Sequence, residues 1–271
     1  MKSGRLEEAR LTCEKVCAGT GADAMAWSLL GRINFLSGRL SEAADCYRQA
    51  VSRSPEDADA HGGLAHVLLQ QGDAAPAAEA YRMATRLRPE DPKLLTNYAA
   101  VLMGLQRYSE AEPILRAAIR VNPGLSKPYI NLGGCLNAQG KTMEAVTCIE
   151  EGLQRAGPDP VLHSNYLMTR HYLPSTDTAE NLAAHRHWVA CNVAKEKVYR
   201  PVEKGAEDPE RKLRIGYVSP DFRTHSVAYF LRPLLANHDR EKFDVFCYSN
   251  VMVPDEVTQY CKTLAGVWRD T

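Results

Sequence analysis

Residues 58–91 read ADAHGGLAHVLLQQGDAAPAAEAYRMATRLRPED, and the same pattern recurs without a gap at 24–57, 92–125 and 126–159, a period of 34 residues. Turn residues fall in register at Gly38, Gly72 and Gly140, with Gln106 standing in for glycine in the third unit. The units end on Pro55, Pro89 and Pro123, with Gly157 in the fourth. The first half of a unit mixes large and small positions, as in Trp27, Leu30, Gly31 and Asn34, or Tyr129, Leu132, Gly133 and Leu136. The second half carries Ala43, Tyr47 and Ala50, then Ala77, Tyr81 and Ala84, then Ala111, Leu115 and Ala118. Small residues let two helices approach closely, and the large residue four positions on fills the groove beside them. Acidic residues in Glu42-Ala43 and Glu110-Ala111 favour the positive end of the second helix of each pair. The stretch is therefore a stack of helix pairs.

A repeat of this length and register resembles the tetratricopeptide repeat, over about residues 3–159. The resemblance implies a mainly α fold, a right-handed solenoid in which each unit contacts its neighbours. Residues 3–18 match only the second helix of a pair, so the array starts mid-unit, with a missing N-terminal portion or an atypical cap expected before it. A further first helix is predicted at 160–172, with His163, Asn165, Tyr166 and Leu167 in register and Pro174 ending it. Thr178 is predicted to cap a closing helix running to about Lys195. The division expected is a repeat solenoid over 1–173, a closing helix and linker over 174–211, and a second domain over 212–271.

Composition narrows the function classes. Apolar residues make up 45% of the 271 and charged residues 24%, ordinary values for a globular chain. The formal charge is zero, so there is neither a basic footprint for nucleic acid nor a polybasic run for an anionic membrane surface. No apolar stretch reaches the roughly 18 to 20 residues of a membrane span, and residues 1–10 lack the apolar centre of a secretory signal. A cytoplasmic protein is the expectation. Cysteines 13, 17, 46, 135, 148, 191, 247 and 261 form no CxxC pair and no zinc spacing with histidine. No metal is assigned.

The sixth position of successive units reads Leu29, Gly63, Asn97, Asn131 and Asn165. Three asparagines in one column, from ten in the whole chain, form a pattern with chemical meaning. Each amide offers a donor and an acceptor. A row of them along a concave groove can pair with the backbone of an extended peptide without reading its side chains. The competing reading has each asparagine capping or packing against a neighbouring turn. A clamp for a terminal carboxylate has less support: Lys93 and Lys127 share a column, but Met25 and Asp59 occupy it in other units.

Beyond the charged stretch 196–211, with Pro201, Gly205 and Pro209, the pattern changes. Residues 213–219 (LRIGYVS) and 243–249 (FDVFCYS) read as strands, 226–237 and 255–265 as helices, and 267–270 as the start of a third strand. Strand and helix alternation implies parallel strands joined by crossovers, a Rossmann-like opening. The run from Leu213 through Ser219-Pro220-Asp221-Phe222 to His225 resembles the opening of the catalytic region of protein O-GlcNAc transferases and their SPINDLY-like relatives. Asn237-His238-Asp239, the strand 243–249 with Asn250, Trp268-Arg269-Asp270, Ser164-Asn165-Tyr166 through Tyr172-Leu173-Pro174, and Ala184-His185-Arg186-His187-Trp188 extend the likeness.

That resemblance implies a GT-B type glycosyltransferase of two Rossmann-like lobes. It transfers a sugar with inversion from a nucleotide donor, usually UDP-GlcNAc, to Ser or Thr of proteins, without a metal or other cofactor. The repeats guide the acceptor protein. His225 matches the family's proton acceptor in the loop after the first strand, and an imidazole titrates in the right range for that task. Ser226 stands where some relatives have proline. Asp221 is expected to shape the active-site loop through backbone amides, or to lie near the site. The donor-binding lobe is expected beyond Thr271. On that expectation the chain is a fragment, inactive alone and with marginal C-terminal strands. A non-catalytic repeat scaffold, and complementation by another chain in an oligomer, are the alternatives. The donor sugar, GlcNAc or fucose, is not written in these residues.

Overall fold

The computed structural model describes residues 2–19, 23–173, 177–192 and 212–271, which fall into two compact units. The first is all helical: α1 (Lys2–Ala18), α2 (Ala24–Leu36), α3 (Leu40–Arg53), α4 (Ala58–Gln71), α5 (Ala74–Leu87), α6 (Pro92–Gly104), α7 (Tyr108–Val121), α8 (Ser126–Ala138), α9 (Thr142–Arg155), α10 (Pro160–Arg170) and α11 (Thr178–Asn192). The pairs α2/α3, α4/α5, α6/α7 and α8/α9 fall within the four repeated segments, and each pair packs on the next.

The sequence pattern acts through three recurring contacts. Ala43, Ala77, Ala111 and Ala145 are wholly buried where the second helix of each pair crosses the first. A Cβ built on Gly133 would lie 2.7 Å from the Ile149 Cδ1, so the first helix has no room for a side chain at that crossing. Asp23, Asp57, Asp91 and Asp159 cap α2, α4, α6 and α10 by accepting backbone N–H bonds from the first turn. Leu125 takes the same place before α8 and makes no side-chain cap. The first helices then end alike. Arg39, Asp73, Arg107 and Lys141 donate their backbone N–H to the carbonyls of Asn34, Leu68, Leu102 and Leu136 at 2.8–2.9 Å. This Schellman-type bond needs a left-handed residue just before it. Gly38, Gly72 and Gly140 supply one, and Gln106 is held at φ 60°.

One partly exposed ion cluster links neighbouring units. Glu112 of α7 accepts from Lys141 and Gln139 at the α8–α9 turn and from Arg116 of its own helix. Lys141 first, with Arg116 and Gln139 behind it, holds the Glu112 carboxyl down to about 2.

At the C-terminal end of the array, α10 is shorter than predicted, closing at Arg170 with His171 as its cap residue. Pro174, the stop expected from sequence, and the linker 196–211 lie outside the described residues. The cap of α11 differs from expectation. Asp177 accepts from the Ala179 N–H, while Thr178 is the first helical residue, because the carboxylate one position earlier reaches the free amides. α11 is described to Asn192, short of Lys195. It packs on α10 through paired rings, His163 with His187 at 5.5 Å and His171 with His185 at 5.3 Å. Arg170 of α10 also donates to Asn181 and Glu180 of α11.

The second unit is a parallel sheet in the order β1-β2-β3: β1 (Leu213–Ser219), α12 (Ser226–Ala236), β2 (Phe243–Ser249), α13 (Glu256–Leu264) and β3 (Val267–Asp270). Leu213 pairs with Phe243 and Ser219 with Ser249, so β1 and β2 end level. Phe222, Leu235, Val245, Cys247 and Cys261 form its core, with α12 and α13 packed on each other. Val218 and Arg269 are exposed, whereas Val245 and Cys247 are buried, the alternation of a sheet packed on one face.

Two measurements test this account. Replacing Gln106 by Gly removes a side chain from a left-handed turn, and the chain is expected to gain about 0.5–1 kcal/mol in thermal or urea unfolding. Burial and the neighbouring His187 lower the titration of His163 below its ordinary value. A group so depressed stabilises the fold above its unfolded value of about 6.5, and that contribution is lost as pH falls below it. The protection of α11 amides, taken relative to the intrinsic exchange rate at each pH, is expected to fall as pH drops from about 7 to 5, more than that of α4 or α6.

Candidate functional site

The loop between β1 and α12 leaves the C-terminal end of a parallel strand, the edge at which such sheets place ligands. Three contacts fix its path. Phe222 is wholly buried, its ring 5.1 Å from that of Trp268 on β3. The Asp221 N–H donates to the Ser219 hydroxyl at 3.0 Å. The Thr224 N–H donates to Asp255 at 2.6 Å, and Asp255 also caps α13 through a reciprocal box with Thr258. Hydrogen bonds from Thr224, and then from Thr258, hold the Asp255 carboxyl far below the usual carboxylate range. A second strut holds β1 itself, where the Tyr217 hydroxyl meets His238 Nε2 at 2.7 Å.

The loop presents His225 as the N-cap of α12. Its Nδ1 accepts the Val227 N–H at 3.2 Å and lies 3.7 Å from Asp221 Oδ2. The side chain of His225 is 37% exposed and that of Asp221 23% exposed. Arg223 approaches the other Asp221 oxygen at 3.9 Å. A concavity of about 420 Å³ opens beside them, lined by Arg223, Thr224, His225, Ser226, Tyr229 and Arg232 among others. Tyr229 and Phe230 are exposed beside it and meet edge to face. Asp221 and His225, separately named from sequence, thus face one another. The Asp221 carboxylate points at His225 and Arg223. Asp255, Thr224 and the anchor Phe222 were missed as supports. Asp255 carried a signal, since Asp255-x-x-Thr258 has capping-box spacing, but its reach to Thr224 across 31 residues has none.

The asparagine column is less uniform than the sequence implied. Asn97 Oδ1 accepts from Lys127 Nζ at 3.2 Å, and its side chain lies beside the Tyr81 hydroxyl of α5. Asn165 donates to the Val161 carbonyl of its own helix. Asn131 has a buried Nδ2 without a protein partner. The residue behind each column position explains the difference. Tyr81 lies behind Asn97, and Leu115 holds the equivalent place one unit on, where no hydroxyl can meet Asn131. At Gly63, where the column is interrupted, the Tyr47 ring lies so close that a Cβ would come 2.4 Å from it. Lys127 serves Asn97.

Among the described residues no cluster of three His, Cys, Asp or Glu could hold a metal, and no helix is long and apolar enough to cross a membrane.

Comparison with known proteins gives two kinds of match. Residues 141–267 match the family model of glycosyl transferase family 41, and residues 37–92 and 68–124 match tetratricopeptide-repeat models. A probable UDP-N-acetylglucosamine–peptide N-acetylglucosaminyltransferase SPINDLY from Petunia hybrida is 37% identical over 110 residues, covering 39% of this chain and 12% of that protein. The namesake from Arabidopsis thaliana is 36% identical with the same coverage. This chain therefore corresponds to a small part of the length of those relatives. Among solved structures, a Thermobaculum terrenum O-GlcNAc transferase mutant aligns with a TM-score of 0.58 at 29% identity, over 79% of this chain and 41% of its own. YrrB, a tetratricopeptide-repeat protein, aligns at 0.54 and 19% identity over 63% of this chain and 87% of its own, a likeness of fold.

The Asp255 tie is open to test. Asp255→Ala removes the cap and the bond to Thr224 together. Expected are a loss of about 1 kcal/mol in unfolding free energy and faster hydrogen exchange at the Thr224 amide, with α2–α9 unaffected.

Proposed function

We propose that this chain, an O-GlcNAc transferase/SPINDLY-like protein, takes part in transferring N-acetylglucosamine from UDP-GlcNAc to Ser or Thr hydroxyls of other proteins. The observation that carries the reading is His225. It stands at the C-terminal end of β1, on a loop fixed by Phe222, Ser219 and Asp255, beside an open concavity. The segment that holds it lies inside the family 41 match.

A serine or threonine hydroxyl is a weak nucleophile at neutral pH. An imidazole within hydrogen-bond reach takes its proton as the oxygen attacks the sugar, typically worth 10²- to 10⁴-fold in rate. The repeats hold the acceptor polypeptide. In this reading the acceptor lies along the first helices of the repeats, where Asn131 is the member of the asparagine column with an Nδ2 still unmatched. No metal takes part in this reading. Eight free cysteines suit the cytoplasm.

The test offers labelled UDP-GlcNAc and soluble acceptor proteins to the protein and to its His225→Ala variant. Transfer that falls by about 10²-fold or more in the variant is the expected result. Binding of extended peptides is expected to weaken about fivefold on Asn131→Ala, the worth of one hydrogen bond. Peptide binding without any histidine-dependent transfer would instead mark a scaffold.

A further inference from the structure

The His225 ring has two neighbours competing for one nitrogen. Nδ1 accepts the Val227 N–H, so that atom carries a lone pair. A neutral imidazole has a single ring proton, which must then sit on Nε2. In this arrangement the outer nitrogen is a donor, and His225 acts as a helix cap. A base needs the opposite tautomer, with Nδ1 protonated and the lone pair on Nε2.

We propose that Asp221 is the positioning residue for His225, taking the Nδ1–H so that Nε2 is left to accept the proton of the acceptor hydroxyl. This rests on the base role argued above. Asp221 Oδ2 lies 3.7 Å from Nδ1, beyond hydrogen-bond length, and an approach of about 1 Å completes the bond. A carboxylate can only accept, so its bond to Nδ1 demands a proton there. The Val227 N–H can only donate, so its bond demands a lone pair. The two are mutually exclusive, and moving the ring from one to the other switches the tautomer.

The surroundings favour this use of Asp221. Arg223 approaches Oδ1 and leaves Oδ2 on the histidine side. The other nearby carboxylate, Asp255, is engaged by Thr224 and Thr258. Arg232 lines the concavity and adds positive charge on the outer side. Val227 lies in the exposed first turn of α12, where water can take over its N–H when the ring leaves. The loop backbone at Asp221 is held by Ser219, so the carboxylate side chain has a fixed base from which to move.

The transfer step then balances. The hydroxyl proton moves to Nε2. The acceptor oxygen forms a bond to the anomeric carbon of the sugar. The bond from that carbon to the phosphate oxygen breaks, and the nucleoside diphosphate leaves with the electron pair. The imidazolium is left with its Nδ1–H against the Asp221 carboxylate, a charge-assisted bond.

Long-range ¹H–¹⁵N correlation of histidine-labelled protein reads the tautomer directly, with His225→Gln identifying the resonances. Expected is a substantial Nδ1–H population in the native protein. It should fall about tenfold in Asp221→Ala, equivalent to the loss of one hydrogen bond to a charged group. Asp221→Asn retains an acceptor oxygen and is expected to keep most of that tautomer. Unchanged melting of Asp221→Ala separates the effect from folding. An identical tautomer ratio in native protein and Asp221→Ala overturns the proposal, while the base role still stands on His225-dependent transfer. Transfer indifferent to His225→Gln overturns the base role, and the positioning role with it.

Discussion

The close crossing of paired helices at wholly buried alanines governs the helical unit. Ala43, Ala77, Ala111 and Ala145 are wholly buried in the second helices, and at Gly133 the first helix has no room even for a Cβ beside Ile149. A crossing this close requires the first helix to stop at a fixed residue and reverse within a few positions. The recurring carbonyl-to-amide bonds at 34, 68, 102 and 136, with a left-handed residue before each donor, provide the stop. The aspartate caps then restart the chain at the next first helix. Each contact is small, but a repeat array adds them unit by unit. The one unit with glutamine at the turn and the one with leucine at the cap remain in register because their neighbours impose it.

The same constraint shapes the asparagine column. Position six of each first helix sits over the large residue of the preceding second helix. Where that residue is Tyr47, its ring lies against Gly63 in the space a Cβ would take. Where it is Tyr81, the asparagine is matched by a hydroxyl and joined by Lys127. Where it is Leu115, the Asn131 amide is left without a partner in the chain. Packing behind the column therefore grades the surface in front of it.

In the α/β unit the corresponding anchor is Phe222. Its burial pulls the loop after β1 down onto the core, and the residues on either side, Asp221 and His225, are turned toward one another above it. The Asp255 carboxylate ties the same loop to the start of α13. A histidine on an unsupported loop would have many orientations. Here it has two defined partners, and the choice between them sets which nitrogen carries the proton.

The sequence alone determined the repeat period, the helix pairs, the strands at 213–219, 243–249 and 267–270, and the candidacy of His225 and the three asparagines. All but His225 follow from spacing, which helical and strand geometry set within a few residues; the candidacy of His225 follows from the resemblance of its loop to the O-GlcNAc transferase catalytic region. The aspartate caps at 23, 57, 91 and 159 are equally legible, since they share the period. Tertiary structure alone decided that Asp255 supports the loop after β1, that Asn97 and Asn131 differ, and that Asp177 rather than Thr178 caps α11. The first two depend on atoms brought together across 31 residues or between neighbouring units. The last depends on which of two adjacent side chains reaches a free amide. A one-dimensional pattern specifies what each residue offers; three-dimensional packing decides which offer is met.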